Sequence, residues 1–504
     1  MKAAPHTLLT LAASLLLTGP LFAELAVDPI YSSHMVLQRG KTVPISGTCT
    51  GSKPVVVSFA GQQVRAKVKG NIWQANLEPM EAQAEGSALT VTQGKESVTL
   101  DDVVVGEVWI ASGQSNMFWR LVETRDKAAL QAPENPAFRF YHSEPKVETP
   151  RRAYTDEQCD ILKSGKLYQG SWSVSSPESS RRMSAVGWYF GRKLQQELGV
   201  PVGIIHASLG GSEMLAWIPK SVVKKKYPQV LGDKWMHDKM IDPFWVRPRA
   251  LLNLGDRLNI PHPYRPGYLY EAGIAPWAKF PVKGVIWYQG ESDAAIPNDE
   301  LNRKVLTDLI TSWREAFHNP ELAFCMVQLP RIKDPAPVRA LWAEFREVQS
   351  RVSRELPQVY CANTIDLGTT NHDVHPPRKL EVGERLAALA ATQVYGLKDI
   401  PYSGPTLSRA ELADGQVVLH FDHAKGLSTT NGAAPACFEL SADGKTYHPA
   451  EAELAGETVK LRSAEVETPR FVRYAWAVFV EPNLVNADKL PPSPFSAKIP
   501  SSQN

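Results

Sequence analysis

The chain has 504 residues, of which 43% are hydrophobic and 21% are charged, and its formal net charge is +2. This composition is that of a folded globular protein, and the length predicts about two to four structural units. A net charge so close to zero gives no field that would favour nucleic acid, so we expect a neutral or weakly charged partner instead.

The first residues predict export from the cytoplasm. A positively charged start is followed by an apolar run from Leu8 to Leu17 and by small residues up to Ala23, which is the layout of a secretory signal. A membrane anchor is the alternative, but the run is shorter than the ~20 residues that a spanning helix needs. We therefore expect residues 1–23 to be a signal peptide, and the mature chain to be periplasmic or extracellular with no membrane span.

Alternating apolar and polar residues predict β-strands in the next part of the chain. Val64, Ala66 and Val68 alternate with charged residues, and Trp73 begins a similar run. Glycine and asparagine separate these runs at the positions expected for turns. We predict an N-terminal β-sandwich domain over residues 24–101.

Strands and helices alternate over residues 102–400, which predicts a parallel sheet covered on both faces. Three apolar runs, at residues 107–110, 202–205 and 285–288, each end in a polar, glycine-rich loop. Ligands bind at the carboxyl ends of the strands in such sheets, so we expect the three loops to line one site.

Other parts of the chain have clear helical or β patterns. Helical spacing predicts helices from Ala185 to Leu198, closed by Gly199, and from Leu301 to Phe317. The Pro-, Trp- and Tyr-rich stretch at residues 220–278 has no clear period, and we interpret it as a long excursion near the site. Residues 401–504 return to a β pattern and predict a second β-rich unit. The five cysteines are too scattered for a metal pair or a disulfide framework, so either buried thiols or at most two bridges are expected.

Ser115 is the candidate nucleophile. It follows a strand and a glycine at the point where a helix should begin. A serine hydroxyl needs a base to take its proton and donors to stabilise the oxyanion, and a backbone N–H at a helix start can be such a donor. The alternative interpretation is a serine that only caps a helix.

His375 is the candidate base, and Asp373 lies two residues before it in a proline-rich loop. An aspartate in that position can orient the imidazole and stabilise its protonated form. A plain surface loop is one alternative, and a metal site made by His372, Asp373 and His375 is another. Gly210, Gly211 and Gln289 are candidate oxyanion donors, because glycine allows close approach of a backbone N–H and a glutamine amide donates without charge.

Six segments, taken together and in order, resemble the sialate O-acetylesterase family within the SGNH (GDSL-like) hydrolases. They are His34–Arg39, Gly113–Met117, Gly284–Ser292, Met326–Pro330, Asp373–Pro376 with Lys379, and Val472–Trp476. The resemblance covers most of the mature chain. It implies an α/β fold with an SGNH-hydrolase-like doubly wound parallel sheet, flanked by the two β-rich units, and it requires no metal or other cofactor.

The resemblance also implies the roles of the site residues. Ser115 would be the nucleophile and His375 the general base, with the Ser115 N–H, a glycine of the Gly210-Gly211 pair and Gln289 as oxyanion donors. Many SGNH hydrolases place an aspartate three residues before the histidine, where this chain has His372. Asp373 is then the expected third member of the triad, with Asp366, Glu291 or a backbone carbonyl as fallbacks.

The implied reaction is hydrolysis of an acetyl ester on a carbohydrate, through an acyl-enzyme. O-acetylated sialic acid is the substrate that the family indicates, and acetylated xylan or another glycan is the alternative. Candidate substrate contacts are Asn116, Glu291, Trp217, whose ring can stack on a sugar, and Arg265, whose guanidinium can bind a carboxylate. A non-catalytic glycan-binding protein with the same fold is the alternative from another functional class.

Overall fold

The structure is a computed structural model that describes residues 25–334 and 336–500. The expected signal peptide, residues 1–23, lies outside the described residues. The chain has a mixed α/β architecture with several sheets, which confirms the fold class in outline. Within the described ranges, no helix combines the length and the apolar character needed to cross a membrane.

The N-terminal region is built from strands, as the alternation predicted. They are β1 (Leu25–Val27), β2 (Val36–Gln38), β3 (Val43–Cys49), β4 (Val55–Phe59), β5 (Gln62–Arg65), β6 (Lys67–Lys69), β7 (Ile72–Leu77), β8 (Gln83–Gln93) and β9 (Glu96–Gly113). Strands β1, β3, β7 and β6 form one sheet in that order. The first half of β9 pairs with β8, and its second half enters the central sheet. The expected domain boundary after residue 101 therefore lies inside a continuous strand.

The central region alternates strands with helices. Its elements are α1 (Ser115–Phe118), α2 (Lys127–Leu130), β10 (Asn135–Pro145), α3 (Asp156–Ser164), β11 (Tyr168–Ser175), α4 (Ala185–Leu198), β12 (Val202–Ser208), α5 (Lys220–Lys226), α6 (Val246–Leu254), α7 (Tyr268–Gly273), β13 (Gly284–Tyr288), α8 (Asp299–Ala316), β14 (Ala323–Val327), α9 (Trp342–Glu355), β15 (Val359–Ala362) and α10 (Lys379–Gln393). The sheet order is β11-β10-β12-β9-β13-β14-β15. Neighbouring strands are parallel except β10 and β11.

Both faces of the central sheet are buried. Along β9, Val108 and Ile110 join one hydrophobic core, whereas Trp109 and Ala111 join a second core. Helices α8 and α9 contribute to the first core, and α4 and α10 contribute to the second. Since each buried Val or Ile side chain contributes about 1.5–3 kcal/mol, the apolar runs recognised in the sequence are what hold this sheet between its helices.

The two predicted helices are confirmed. Helix α4 begins after Ser184, whose side chain accepts the Gly187 N–H, and it ends at Gly199, which has a φ of 65°. The second predicted helix is α8, which begins two residues earlier than expected, after the capping residue Asn298. The stretch at residues 220–278 contains the short helices α5 to α7, although the sequence shows no period there.

The C-terminal region is rich in strands. Its strands are β16 (Thr406–Ala413), β17 (Gln416–Asp422), β18 (Ser428–Thr429), β19 (Phe438–Ser441), β20 (His448–Pro449), β21 (Glu451–Ala455), β22 (Thr458–Arg462), β23 (Phe471–Tyr474), β24 (Leu484–Val485) and β25 (Phe495–Lys498). The buried guanidinium of Arg346 on α9 donates to the carbonyls of Ala477 and Val478 and so joins this unit to the central region. All five cysteines are free thiols.

Gly113 ends β9 in a conformation that other residues rarely adopt. Its φ is 140°, and a Cβ atom built at this position would lie 2.1 Å from the carbonyl oxygen of Tyr288. The next residue, Gln114, donates its N–H to the same carbonyl at 3.0 Å. The close approach of β9 to β13 thus requires glycine immediately before the Gln114-Ser115 turn.

We expect Gly113→Ala to lower the free energy of unfolding by about 3 kcal/mol or more, because backbone strain adds to a steric clash. Gly199→Ala is the matched control, since Gly199 also has a positive φ but has open space around its Cα. That control should cost only about 1 kcal/mol. Denaturant titration of both variants tests this, and equal losses would contradict the steric argument.

Candidate active site

The three polar loops meet at one edge of the central sheet, as predicted. Gly113 is paired with Ser208 of β12 on one side and with Tyr288 of β13 on the other, so the three strands end at the same level. A cavity of about 320 Å³ opens there, and the loops after all three strands line it. Its lining residues include Gln114, Ser115, Phe118, Gly210, Gly211, Asp242, Phe244, Trp245, Arg249, Glu291, Ser292, Arg339, Val374 and His375.

Ser115 is the first residue of α1 and lies directly against the glycine loop. The N–H groups at the start of a helix have no acceptor within the helix, so the Ser115 N–H is placed as a donor. A Cβ atom built on Gly210 would lie 3.5 Å from the Cβ of Ser115. The backbone of Gly210 therefore borders the candidate nucleophile.

His375 lines the same cavity and is held from two sides. Its Nδ1 lies 3.2 Å from Oδ1 of Asp373, and the same oxygen accepts the backbone N–H of His375 at 2.9 Å. The indole of Trp119 stacks on the imidazole, with 5.1 Å between ring centroids. Because Nδ1 faces the carboxylate, Nε2 is the nitrogen left for proton exchange in the cavity.

The fallback partners of His375 are engaged elsewhere. Asp366 forms a two-pronged ion pair with Arg385, with both N···O distances 2.7 Å. Glu291 accepts from Asn116. Asp373 is therefore the aspartate in contact with the imidazole.

The residues of the metal-site interpretation do not converge. Nδ1 of His372 lies 3.4 Å from Asp334, whereas Asp373 contacts His375. Among the residues that the structure describes, no group of three or more His, Cys, Asp or Glu is placed to hold a metal ion.

The predicted oxyanion residues separate into two groups. Gly210 and Gly211 line the cavity, whereas Gln289 is only 1% exposed and is not among the lining residues. The Gln289 amide nitrogen donates to Oε1 of Gln114 at 3.2 Å, to the Ser212 carbonyl at 3.2 Å and to Asp293. The side chain of Gln289 thus ties together the loops under the cavity instead of pointing a free donor into it.

Asn116 links three parts of the site. Its side-chain nitrogen donates to Oε1 of Glu291 at 2.5 Å and to the Val374 carbonyl at 3.0 Å, while its oxygen accepts from the ammonium of Lys379. Val374 precedes His375 in the chain. The residue after Ser115 is therefore bonded to the histidine loop, to the loop after β13 and to the first residue of α10.

Burial and neighbouring charges shift the pKa values of the titratable groups in this network. Lys379 is 1% exposed, and burial lowers the pKa of its ammonium to about 7, against the opposing influence of Glu291. Burial likewise raises the pKa of Glu291. Burial lowers the pKa of His375, Lys379 lowers it further, and Asp373 opposes both. These effects favour the neutral imidazole, which is the form that can act as a base.

Three of the candidate substrate contacts do not reach the cavity. Asn116 is buried in the network. Trp217 is fully buried and donates its indole N–H to Ser212 Oγ at 2.9 Å, so its ring packs in the core. Arg265 donates to the carbonyl of Leu231 at 2.8 Å and does not line the cavity. Glu291 is the remaining candidate and does line it.

The structure adds cavity residues that the sequence analysis missed, namely Asp242, Phe244, Trp245, Arg249 and Arg339. Four of them lie in the stretch expected near the site. The adjacent aromatic residues after Asp242-Pro243 were a usable signal, because two large rings in a turn are hard to bury together. Arg339 follows a proline-rich loop and carries no comparable signal.

Comparisons with known proteins agree with this geometry. Residues 263–392 match the family model described as carbohydrate esterase, sialic acid-specific acetylesterase. The sialate O-acetylesterase of Mus musculus is 26% identical over 443 residues, which cover 77% of each chain. That of Rattus norvegicus is 26% identical over 521 residues, which cover 93% of each chain. The crystal structure of a carbohydrate acetylesterase from Xanthomonas citri is 30% identical, has a TM-score of 0.75, and covers 94% of this chain and 99% of its own.

Taken with the cavity, these matches define the class of protein: the chain is a carboxylic ester hydrolase. It belongs to the sialate O-acetylesterase family of carbohydrate acetylesterases. The family match includes the His375 loop and the loop after β13, whereas Ser115 lies before it in the chain.

We expect Asp373→Asn to lower kcat by about two orders of magnitude, because an amide no longer stabilises the protonated imidazole. Asp366→Asn is the matched control. It should lower stability through loss of the Arg385 pair and leave kcat within a few fold. Steady-state kinetics on both variants tests the assignment, and a larger kcat loss in Asp366→Asn would transfer the role to Asp366.

Lys379→Met should move the acid limb of the kcat/KM profile to higher pH. The acid limb reports protonation of the general base in the free enzyme. The buried positive charge of Lys379 lowers the pKa of His375, so its removal must raise that pKa. The imidazole then becomes protonated at a higher pH. Arg378→Met removes an exposed charge paired with Glu381 and should leave the limb in place. A limb that stays or moves to lower pH in Lys379→Met would contradict the electrostatic coupling.

Proposed function

We propose that the protein is a serine esterase that removes O-acetyl groups from carbohydrates through a Ser115-His375-Asp373 triad. The observation that carries the proposal is that Ser115 and His375 line one cavity, and that Oδ1 of Asp373 lies 3.2 Å from Nδ1 of the His375 imidazole. A binding protein would have no use for a base oriented in this way.

In this mechanism Nε2 of His375 takes the proton from Oγ of Ser115, and the oxygen attacks the acetyl carbonyl carbon. The resulting oxyanion accepts hydrogen bonds from the N–H groups of Ser115 and the Gly210-Gly211 loop. His375 then donates its proton to the ester oxygen of the sugar as the bond to the acetyl carbon breaks. The sugar leaves with that oxygen as a hydroxyl group. A water molecule, deprotonated by His375, hydrolyses the acetyl-enzyme and releases acetate. We assign Gln289 to support of the loops instead of a direct donor role.

O-acetylated sialic acid is the proposed substrate. The family description and the named relatives favour it, and two arginines, Arg249 and Arg339, line the cavity where a sugar carboxylate would need a cation. Acetylated neutral glycans are the second candidate, because the acidic residues Glu148 and Asp242 also line the cavity and the Xanthomonas citri relative is described as a carbohydrate acetylesterase.

The proposal includes three units after a removed signal peptide. They are the β domain at 24–101, the hydrolase domain at 102–400 with a doubly wound sheet of SGNH type, and the β-rich unit at 401–504. The burial of both faces of the central sheet supports the doubly wound arrangement. The proposal of export rests on the order of charged, apolar and small residues in 1–23.

Ser115→Ala should reduce hydrolysis of 4-nitrophenyl acetate by about three orders of magnitude or more, because the nucleophile is lost while the fold is kept. Equal rates in wild type and variant would refute the proposed mechanism. Release of acetate from 9-O-acetyl-N-acetylneuraminic acid and from acetylated xylotriose, measured side by side, then decides between the two substrate candidates. A clear preference for xylotriose would overturn the sialic acid assignment.

A further inference from the structure

Two adjacent aromatic side chains, Phe244 and Trp245, are exposed at the wall of the catalytic cavity. Phe244 is 51% exposed and Trp245 is 40% exposed, although most large apolar side chains of the described chain are buried. Both residues line the cavity that contains Ser115 and His375. Exposure of such rings costs hydrophobic stabilisation, and exposed rings that line a cleft are typical of ligand contacts.

The turn that carries these rings is held rigidly by Asp242. This carboxyl group is buried, and its Oδ1 accepts the N–H groups of Phe244 at 2.7 Å and Trp245 at 3.2 Å. The turn leads directly into α6, which begins at Val246. The two rings are therefore presented on a preorganised support, which lowers the entropy lost when a ligand binds.

The indole of Trp245 lies beside the glycine loop that borders the nucleophile. A Cβ atom on Gly211 would lie 2.2 Å from Nε1 of Trp245, and a Cβ atom on Gly210 would lie 3.5 Å from the Cβ of Ser115. Trp245 and Ser115 thus contact two consecutive residues, whose Cα atoms are about 3.8 Å apart. The indole is close enough to touch a sugar whose acetyl group is at Ser115.

Part of the indole surface is exposed. The guanidinium of Arg249 lies over the Trp245 ring, 4.6 Å from its centroid, and so covers one side. The ring is nevertheless substantially exposed, which leaves surface to contact a ligand in the cavity. The C–H groups on one face of a pyranose form a flat apolar surface that matches an aromatic ring in shape and polarity.

We propose that Phe244 and Trp245 form an aromatic platform that holds the sugar ring bearing the acetyl ester. This inference rests on the proposed esterase function and adds the means by which the enzyme selects sugar esters over simple acetate esters. An ester without a sugar ring gains nothing from the platform. The platform therefore contributes to recognition of the alcohol part of the substrate.

The test compares two acetyl esters in the same enzyme preparations. One is the better of the two sugar esters, 9-O-acetyl-N-acetylneuraminic acid or acetylated xylotriose, and the other is vinyl acetate, which has no ring. The measured quantity is the ratio of kcat/KM for the sugar ester to kcat/KM for vinyl acetate. We expect Trp245→Ala to lower this ratio about tenfold, mainly through KM for the sugar ester.

Further variants make the test specific. Trp245→Tyr keeps a ring and should retain most of the ratio, and Phe244→Ala should lower it by a smaller factor and remains informative if Trp245→Ala does not fold. Ile72→Ala is the control, because Ile72 is also exposed but lies in β7 of the N-terminal region. It should leave both rates as in the wild type.

Two results would overturn the platform. An unchanged ratio in Trp245→Ala and Phe244→Ala, whether both rates persist or fall in parallel, would assign the rings a purely structural role. A wild-type enzyme that hydrolyses vinyl acetate but neither sugar ester would also overturn the platform, because no sugar ring would then be recognised. Failure of the proposed catalytic mechanism is distinguishable from both, because vinyl acetate hydrolysis would then persist in Ser115→Ala.

Discussion

The site depends on the register in which three parallel strands end. Gly113 is opposite Ser208 on one side and Tyr288 on the other, so the loops after β9, β12 and β13 begin at the same level. The carboxyl ends of parallel strands are where ligands bind in such sheets, but it is the common end point that brings Ser115, the glycine loop and Glu291 to one cavity. A shift of one residue would turn each strand's side chains to the opposite face and separate these groups.

Buried polar contacts then hold the loops that the strands bring together. Asn116 bonds to Glu291, to Lys379 and to the carbonyl before His375, so one amide connects the proposed nucleophile Ser115 to the proposed base His375. Charges buried in this way are costly unless they are paired, and removal of one partner from such a pair costs about 3–5 kcal/mol. The network therefore gives a reason for the burial of Lys379 near His375. It holds the loops in place, and the charge of Lys379 lowers the pKa of the imidazole.

Local patterns predicted those features that depend on local physics. Helix α4 and its Gly199 cap follow from spacing and backbone conformation, whereas the role of Ser115 stays a prediction that rests on the resemblance of six segments to a known family. The adjacent rings of Phe244 and Trp245 carried a signal of exposure, but Trp217 carried none. Trp217 lies in an irregular segment, and only long-range packing decides that it is buried in the core. The same holds for Gln289, whose amide is occupied by Asp293, a partner visible only in the folded chain.

The most direct test of this account is to locate the residue that reacts as the nucleophile. A fluorophosphonate modifies an activated serine, and peptide mass spectrometry identifies the modified position. If Ser115 is the nucleophile, a single label forms on Ser115, esterase activity is lost in step with labelling, and labelling is slower in His375→Ala. A label on another residue, or full activity after complete labelling of Ser115, would contradict it.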